Sequence, residues 1–136
     1  MHTTSTSSIK AIYNGDQFRT QGHELIDMLS DYLTKMLQGE ELPVLPNLSP
    51  DTLYTHWNHK LKTEEGFHFP SLIQGVLDQS LHLHHPRNAG HQVSSPAPLS
   101  VLASLVSDLL NNGMAVYETG PASSVMDRLV IEEVNK

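Results

Sequence analysis

Cysteine is absent from this 136-residue sequence, which excludes disulfides and thiol chemistry and fits an intracellular protein. Cationic side chains are scarce. Eight Lys and Arg face fifteen Asp and Glu, leaving a formal net charge of -7, with no basic run to hold a nucleic-acid backbone. Long apolar runs are also missing, so neither a membrane span nor a signal-peptide core is expected, and a soluble, cytoplasmic chain is the reading. Ser94-Ser95 lack a G-x-S-x-G elbow and are not a hydrolase nucleophile. Strand-like alternation is nearly absent, and no internal repeat is seen.

What is present is helical periodicity. The chain is 38% hydrophobic, and at this length one domain could bury about 70% of its unfolded surface. MHTTSTSSIK opens a polar tail expected to be disordered over residues 1–15. From Asp16 to Gln38, the residues Phe18, Gly22, Leu25, Leu29, Tyr32 and Met36 recur at spacings of four and three, which predicts one stripe on a helix. Asn14 or Asp16 can cap its start, and Gly39 supplies a stop. With Ile26 and Leu33 beside it, the stripe is wide enough to require a second surface, within the chain or across a dimer.

Three prolines between Pro43 and Pro50 forbid helix there. Ser49 and Pro50 open a second helix expected to reach about Trp57, a lone tryptophan suited to anchoring packing, followed by a charged connector over Lys60–Gly66. A third helix is expected over Phe69–Ser80 and a fourth from Pro98, stopped at Asn112-Gly113. Met114–Glu118 reads as a short extended piece. A fifth helix is expected from about Ser123, running into Lys136 without a stop signal, as though cut mid-helix. Gly120-Pro121-Ala122 is read as a plain helix start, because proline removes one of the donors an anion site would need.

The most informative stretch is His82–Asp127. It joins the histidine loop HLHHPRNAGHQV, an amphipathic helix, the Asn111-Asn112 stop and the turn Tyr117-Glu118-Thr119-Gly120-Pro121-Ala122. Before it stand Phe18, Gly22, Ile26, Met28 and Tyr32, then Pro43, Val44, Pro46, Pro50 and Leu53, and His85-Pro86-Arg87 falls within it. Taken in this order, these motifs resemble the N-terminal portion of the group II pyridoxal-phosphate-dependent decarboxylases, most closely the bacterial L-2,4-diaminobutyrate type.

The resemblance implies a mostly α chain: an N-terminal helical arm plus the first helices of the large domain of a PLP-dependent transferase-like (aspartate aminotransferase-type) α/β fold, truncated before the main sheet. Residues 16–66 would be a dimerisation arm, with Phe18, Gly22, Leu25, Leu29 and Tyr32 at the dimer interface. Residues 67–136 would begin the large domain and include a substrate loop over 82–96. Leu83, His91, Gln92, Val93 and Ser94 are the implied substrate-binding positions. The cofactor of such an enzyme is pyridoxal 5'-phosphate, whose ring takes up the electron pair left by decarboxylation. Its Schiff-base lysine lies in a later segment of the family. The five lysines here do not match it, and Asn58-His59-Lys60 falls far too early in the motif order. No catalytic residue is therefore assigned, and the chain alone is expected to be inactive.

Aromatic amino acid decarboxylases carry Tyr and Phe across the loop, where this chain has Arg87, Asn88, Ala89, Gly90, His91 and Gln92. A stacking surface for an aromatic substrate is thus missing, and the polar groups suit a small polar amino acid such as L-2,4-diaminobutyrate. The expected partners are that substrate, a homodimer mate and the remainder of the enzyme. Two other readings stay open: a non-catalytic helical dimerisation module and a histidine-rich metal-binding protein. Against the latter, H-x-H-H in a loop lacks helical i,i+4 ligand spacing and a carboxylate second partner, so no metal ligand is assigned.

Overall fold

The computed structural model describes residues 12–39, 43–63, 68–90 and 92–136. The expected tail up to residue 11, most of the connector after Thr63, and His91 lie outside them. Five α-helices and a 3-10 turn make up the regular structure, with no strand among the described residues. None of these helices is long and apolar enough to cross a membrane. The contacts divide the chain into two compact units, Met1–Val93 and Ser94–Lys136.

In the first unit, helix α1 spans Gly15–Gln38. Asn14, rather than Asp16, caps it: Asn14 Oδ1 accepts the backbone N–H groups of Asp16 and Gln17 at 2.9 and 3.1 Å. Asp16 sits in the first turn, where a negative charge favours the helix dipole, and pairs with Arg19. Gly39 ends α1 at φ 68°, its N–H satisfying the carbonyls of Lys35 and Met36.

Helix α2, Pro50–Thr63, is capped by Ser49 Oγ, which accepts the Thr52 N–H at 3.2 Å. It runs well past the expected end at Trp57 and absorbs the start of the charged connector. The reason is tertiary. Lys60 Nζ donates to the Ser71 carbonyl at 2.9 Å and lies 5.7 Å from the Trp57 ring centroid, so continuing the helix brings both groups to their partners.

Helix α3, Phe69–Asp78, starts from His68, whose Nδ1 accepts the Ser71 N–H. It stops two residues before the expected Ser80, where Gln79 and Ser80 close short-range bonds to the Val76 and Leu77 carbonyls. α3 packs along α1, and Met36 is the one fully buried apolar side chain among the described residues. Gly22, Leu25, Leu29 and Tyr32 are half-buried, whereas Phe18 is exposed.

The second unit holds α4, Pro98–Leu110, and α5, Pro121–Val134. The left-handed stop of α4 is Asn111 at φ 47°, one residue before the expected Asn112-Gly113. Asn tolerates this conformation. Gly113 is then free to offer its carbonyl to the Thr119 hydroxyl. The expected extended piece is instead a bend leading to Val116, which is extended, and a 3-10 turn over Tyr117–Thr119. α5 begins at Pro121, earlier than Ser123, because proline fits the first helical position and Gly120 brings its backbone against the Gly113 carbonyl.

α4 and α5 make no close approach to one another, and their apolar residues face outward. Leu99, Leu109 and Val130 are 77%, 67% and 62% exposed.

Gly75 marks the closest approach of α2 to α3. A Cβ there would stand 3.3 Å from Trp57 Cη2 and 3.5 Å from Lys60 Nζ. Gly75→Leu is therefore expected to lose about 1–3 kcal/mol of stability through overpacking, despite the better helix propensity of leucine. Denaturation followed by Trp57 fluorescence checks this, with a red-shifted native emission as the second sign. An unchanged midpoint and spectrum would contradict the packing described.

Candidate functional site: the histidine loop and its cleft

The polypeptide leaving α3 winds into consecutive tight turns. The His82 N–H donates to the Val44 carbonyl of the proline segment at 2.9 Å. The His85 N–H returns to the His82 carbonyl, and the Asn88 N–H to the His85 carbonyl at 2.9 Å. Side chains complete the knot. His85 Nδ1 accepts the Arg87 N–H at 3.1 Å, and Asn88 Nδ2 donates to the Leu83 carbonyl at 3.3 Å. Pro86 lies against Gly39, so the loop rests on the C-terminal end of α1.

Two of the histidines are interior. His82 and His85 are 4% and 2% exposed. His82 Nδ1 lies 2.8 Å from the Tyr32 hydroxyl, and the two rings are tilted with centroids 5.5 Å apart. Burial is the main force lowering the His82 pKa from 6.5; the like charge of His85 adds to it and Asp78 opposes it. Burial also raises the Tyr32 pKa from 10.0. At neutral pH the imidazole is therefore neutral and the phenol protonated, and the two share one proton in the bond between Nδ1 and the hydroxyl.

This pair borders a cleft of about 420 Å³ between α1, α3 and the proline segment, whose walls include Asp31, Lys35, Met36 and Asp78. Because Tyr32 already occupies Nδ1, the arrangement ties segments together rather than presenting an open general base.

The implied substrate positions fall on two sides of this knot. Leu83 is half-buried at its root, where its carbonyl receives Asn88. Gln92, Val93 and Ser94 are exposed beyond it, and Ser94 starts the second unit. His91 lies outside the described residues. Among the positions implied for a dimer interface, Tyr32 turns inward to His82, while Gly22, Leu25 and Leu29 keep partly open surface. The Tyr32–His82 bond joins partners fifty residues apart and has no local signal in the sequence pattern.

No three His, Asp or Glu side chains among the described residues converge to hold a metal ion. The described residues also do not fit a pyridoxal-phosphate site. Lys60 is engaged by Ser71 and Trp57, and Lys136 by Glu133. Lys35 borders the cleft together with Asp31 and Asp78, whose carboxylates would oppose a phosphate dianion, and no helix N-terminus opens there to receive one. Lys62 is an exposed residue in the last turn of α2.

No family model matches the chain, and no solved structure matches it. Among curated proteins it is similar to a tyrosine decarboxylase of Oryza sativa subsp. japonica, 24% identical over 138 residues. That alignment takes in 96% of this chain and 25% of the relative, so the chain spans about a quarter of the length of the protein it matches. The similarity supports the decarboxylase resemblance at its coarsest level and does not bear on the diaminobutyrate type.

Proposed function

We propose that this chain is the N-terminal portion of a pyridoxal-phosphate-dependent amino acid decarboxylase, supplying a helical arm and a substrate loop to a site whose cofactor lysine lies on other residues. The observation that carries the reading is the end-to-end similarity to a decarboxylase, together with the order of the motifs along the same span. The role left to these residues is positioning and exclusion of water around a substrate bound elsewhere. The exposed segment Gln92–Ser94, joined to a fixed root at His82–Asn88, suits a wall that closes over such a pocket.

The substrate proposed is a small polar amino acid such as L-2,4-diaminobutyrate, in a cytoplasmic homodimer. The relative's name specifies tyrosine, but the loop here offers Arg87, Asn88, Ala89 and Gly90 and no aromatic ring on which a phenol could stack. A reading frame continued past Lys136 is expected to encode the missing lysine, and its product to decarboxylate L-2,4-diaminobutyrate with higher kcat/KM than tyrosine. Preference for tyrosine would overturn the substrate; inactivity on both would overturn the reaction. For the 136-residue chain mixed with pyridoxal phosphate and reduced with borohydride, mass spectrometry should find no single lysine labelled stoichiometrically.

The outward apolar faces of α4 and α5 favour a second reading, a helical association module without chemistry of its own. Gly22 addresses the arm in both readings, because among the described residues no other segment lies within 4 Å of a Cβ placed there. Gly22→Leu is expected to keep or raise thermal stability, by up to about 1 kcal/mol from helix propensity, while weakening self-association about tenfold. Sedimentation across a concentration series measures the second effect, and unaltered association would remove Gly22 from the interface.

A further inference from the structure

His82 ties α1, the proline segment and the histidine loop together. Its backbone N–H holds Val44, its carbonyl holds His85, and its ring holds Tyr32. Downstream, the His85 and Asn88 bonds carry that fixation to the end of the knot, and past it Gln92–Ser94 are exposed. We propose that the buried His82 side chain is a proton-operated latch: seated against Tyr32, it fixes the root of the Leu83–Gly90 loop on α1 while it is neutral and releases it when the imidazole takes up a proton. Tyr32 is then a positioning residue for the loop. Its bearing on catalysis rests on the decarboxylase reading; the latch does not.

The physical reason is desolvation of charge. The Tyr32 hydroxyl can accept from an Nδ1–H as well as donate to a bare Nδ1, so the bond tolerates either proton position, and what opposes protonation is the cost of bringing a charge into the interior. The new charge would sit at a position only 4% exposed. The groups facing it are Asp31, Tyr32 and Lys35 from α1, Asp78 from α3 and His85 from its own loop, while the proline segment contributes the uncharged Pro43 and Val44. Asp78 favours the imidazolium and His85 disfavours it, and burial outweighs both.

The direction of the pH dependence follows. The His82 pKa in the closed state lies below 6.5, so the open state binds more protons as pH falls. Closure is fully favoured above about pH 6.5 and weakens as pH drops from there towards the lower closed-state value.

The test is amide hydrogen exchange on the full 136-residue chain, read as protection factors at about pH 7.5 and about pH 5.5. In the unmutated chain, the His82 and Asn88 amides should lose protection several-fold, up to about tenfold, at the lower pH, while the Leu105 amide in α4 does not change. His82→Asn keeps an acceptor near the Nδ1 position but cannot titrate, and should hold the loop equally at both values. Tyr32→Phe should leave it poorly protected at both and move the His82 titration, followed by NMR, towards 6.5. Protection independent of pH in the unmutated chain, or His82→Asn as acid-sensitive as the parent, overturns the latch. So does Tyr32→Phe fully protected at the higher pH. No substrate or cofactor enters these measurements, so failure of the decarboxylase reading leaves their outcome intact.

Discussion

The arrangement of the first unit depends on His82, whose imidazole meets the Tyr32 phenol while its backbone N–H donates to the Val44 carbonyl. Among the described residues Met36 alone is a fully buried hydrophobe, and the stripe of α1 is half-covered by α3. With so little apolar area withdrawn from water, directional bonds carry more of the specificity than in a thick-cored domain. Tyr32–His82, His82–Val44 and Lys60–Ser71 each join residues far apart in sequence, and between them they connect α1, α2, α3 and the proline segment. A sparsely packed unit held by such ties responds to the protonation of one of them, whereas a dense core would absorb the change.

The second unit shows the opposite imbalance. Its two helices are well terminated by Pro98, Asn111 and Pro121, and its turn is closed by Thr119 on the Gly113 and Val116 carbonyls. Local chemistry therefore specifies where each helix starts and stops. Nothing in the unit covers the Leu, Val and Met side chains that α4 and α5 present. Helices with such faces gain most of their stability from a surface laid against them, since isolated helices of this length are marginal in water. On the decarboxylase reading, that surface belongs to the remainder of the enzyme.

Local signals were legible in the sequence, and long-range ones were not. Gly39, the proline segment, Ser49-Pro50 and Pro98 fixed element boundaries because capping and φ restriction act within a few residues. Two of the misjudged stretches were decided by partners outside the local pattern. α2 outran Trp57 because Lys60 finds Ser71 and the indole, and the Met114–Glu118 piece curled because Thr119 reaches Gly113. In each case the deciding partner comes from a turn or helix whose placement periodicity does not encode. The candidate site divides the same way. Its loop was visible as a cluster of histidines, but which of them turn inward was set by Tyr32 and Gly39 on α1.

On the decarboxylase reading, the loop's polarity bears on the proposed substrate through that same division. Its first half is spent on itself: His85 on Arg87, and Asn88 on Leu83, leave these polar groups committed to turn geometry. A substrate reaching this wall would therefore meet the exposed Gln92 and Ser94 beyond the knot and the half-buried Leu83 at its root. Exposed amide and hydroxyl groups can pair with a short side chain ending in an ammonium or carboxylate. They provide no flat apolar area to withdraw a phenol from water. On the decarboxylase reading, a loop built from Asn, Gly, Gln and Ser in place of aromatic rings favours the proposal of a polar amino acid over tyrosine.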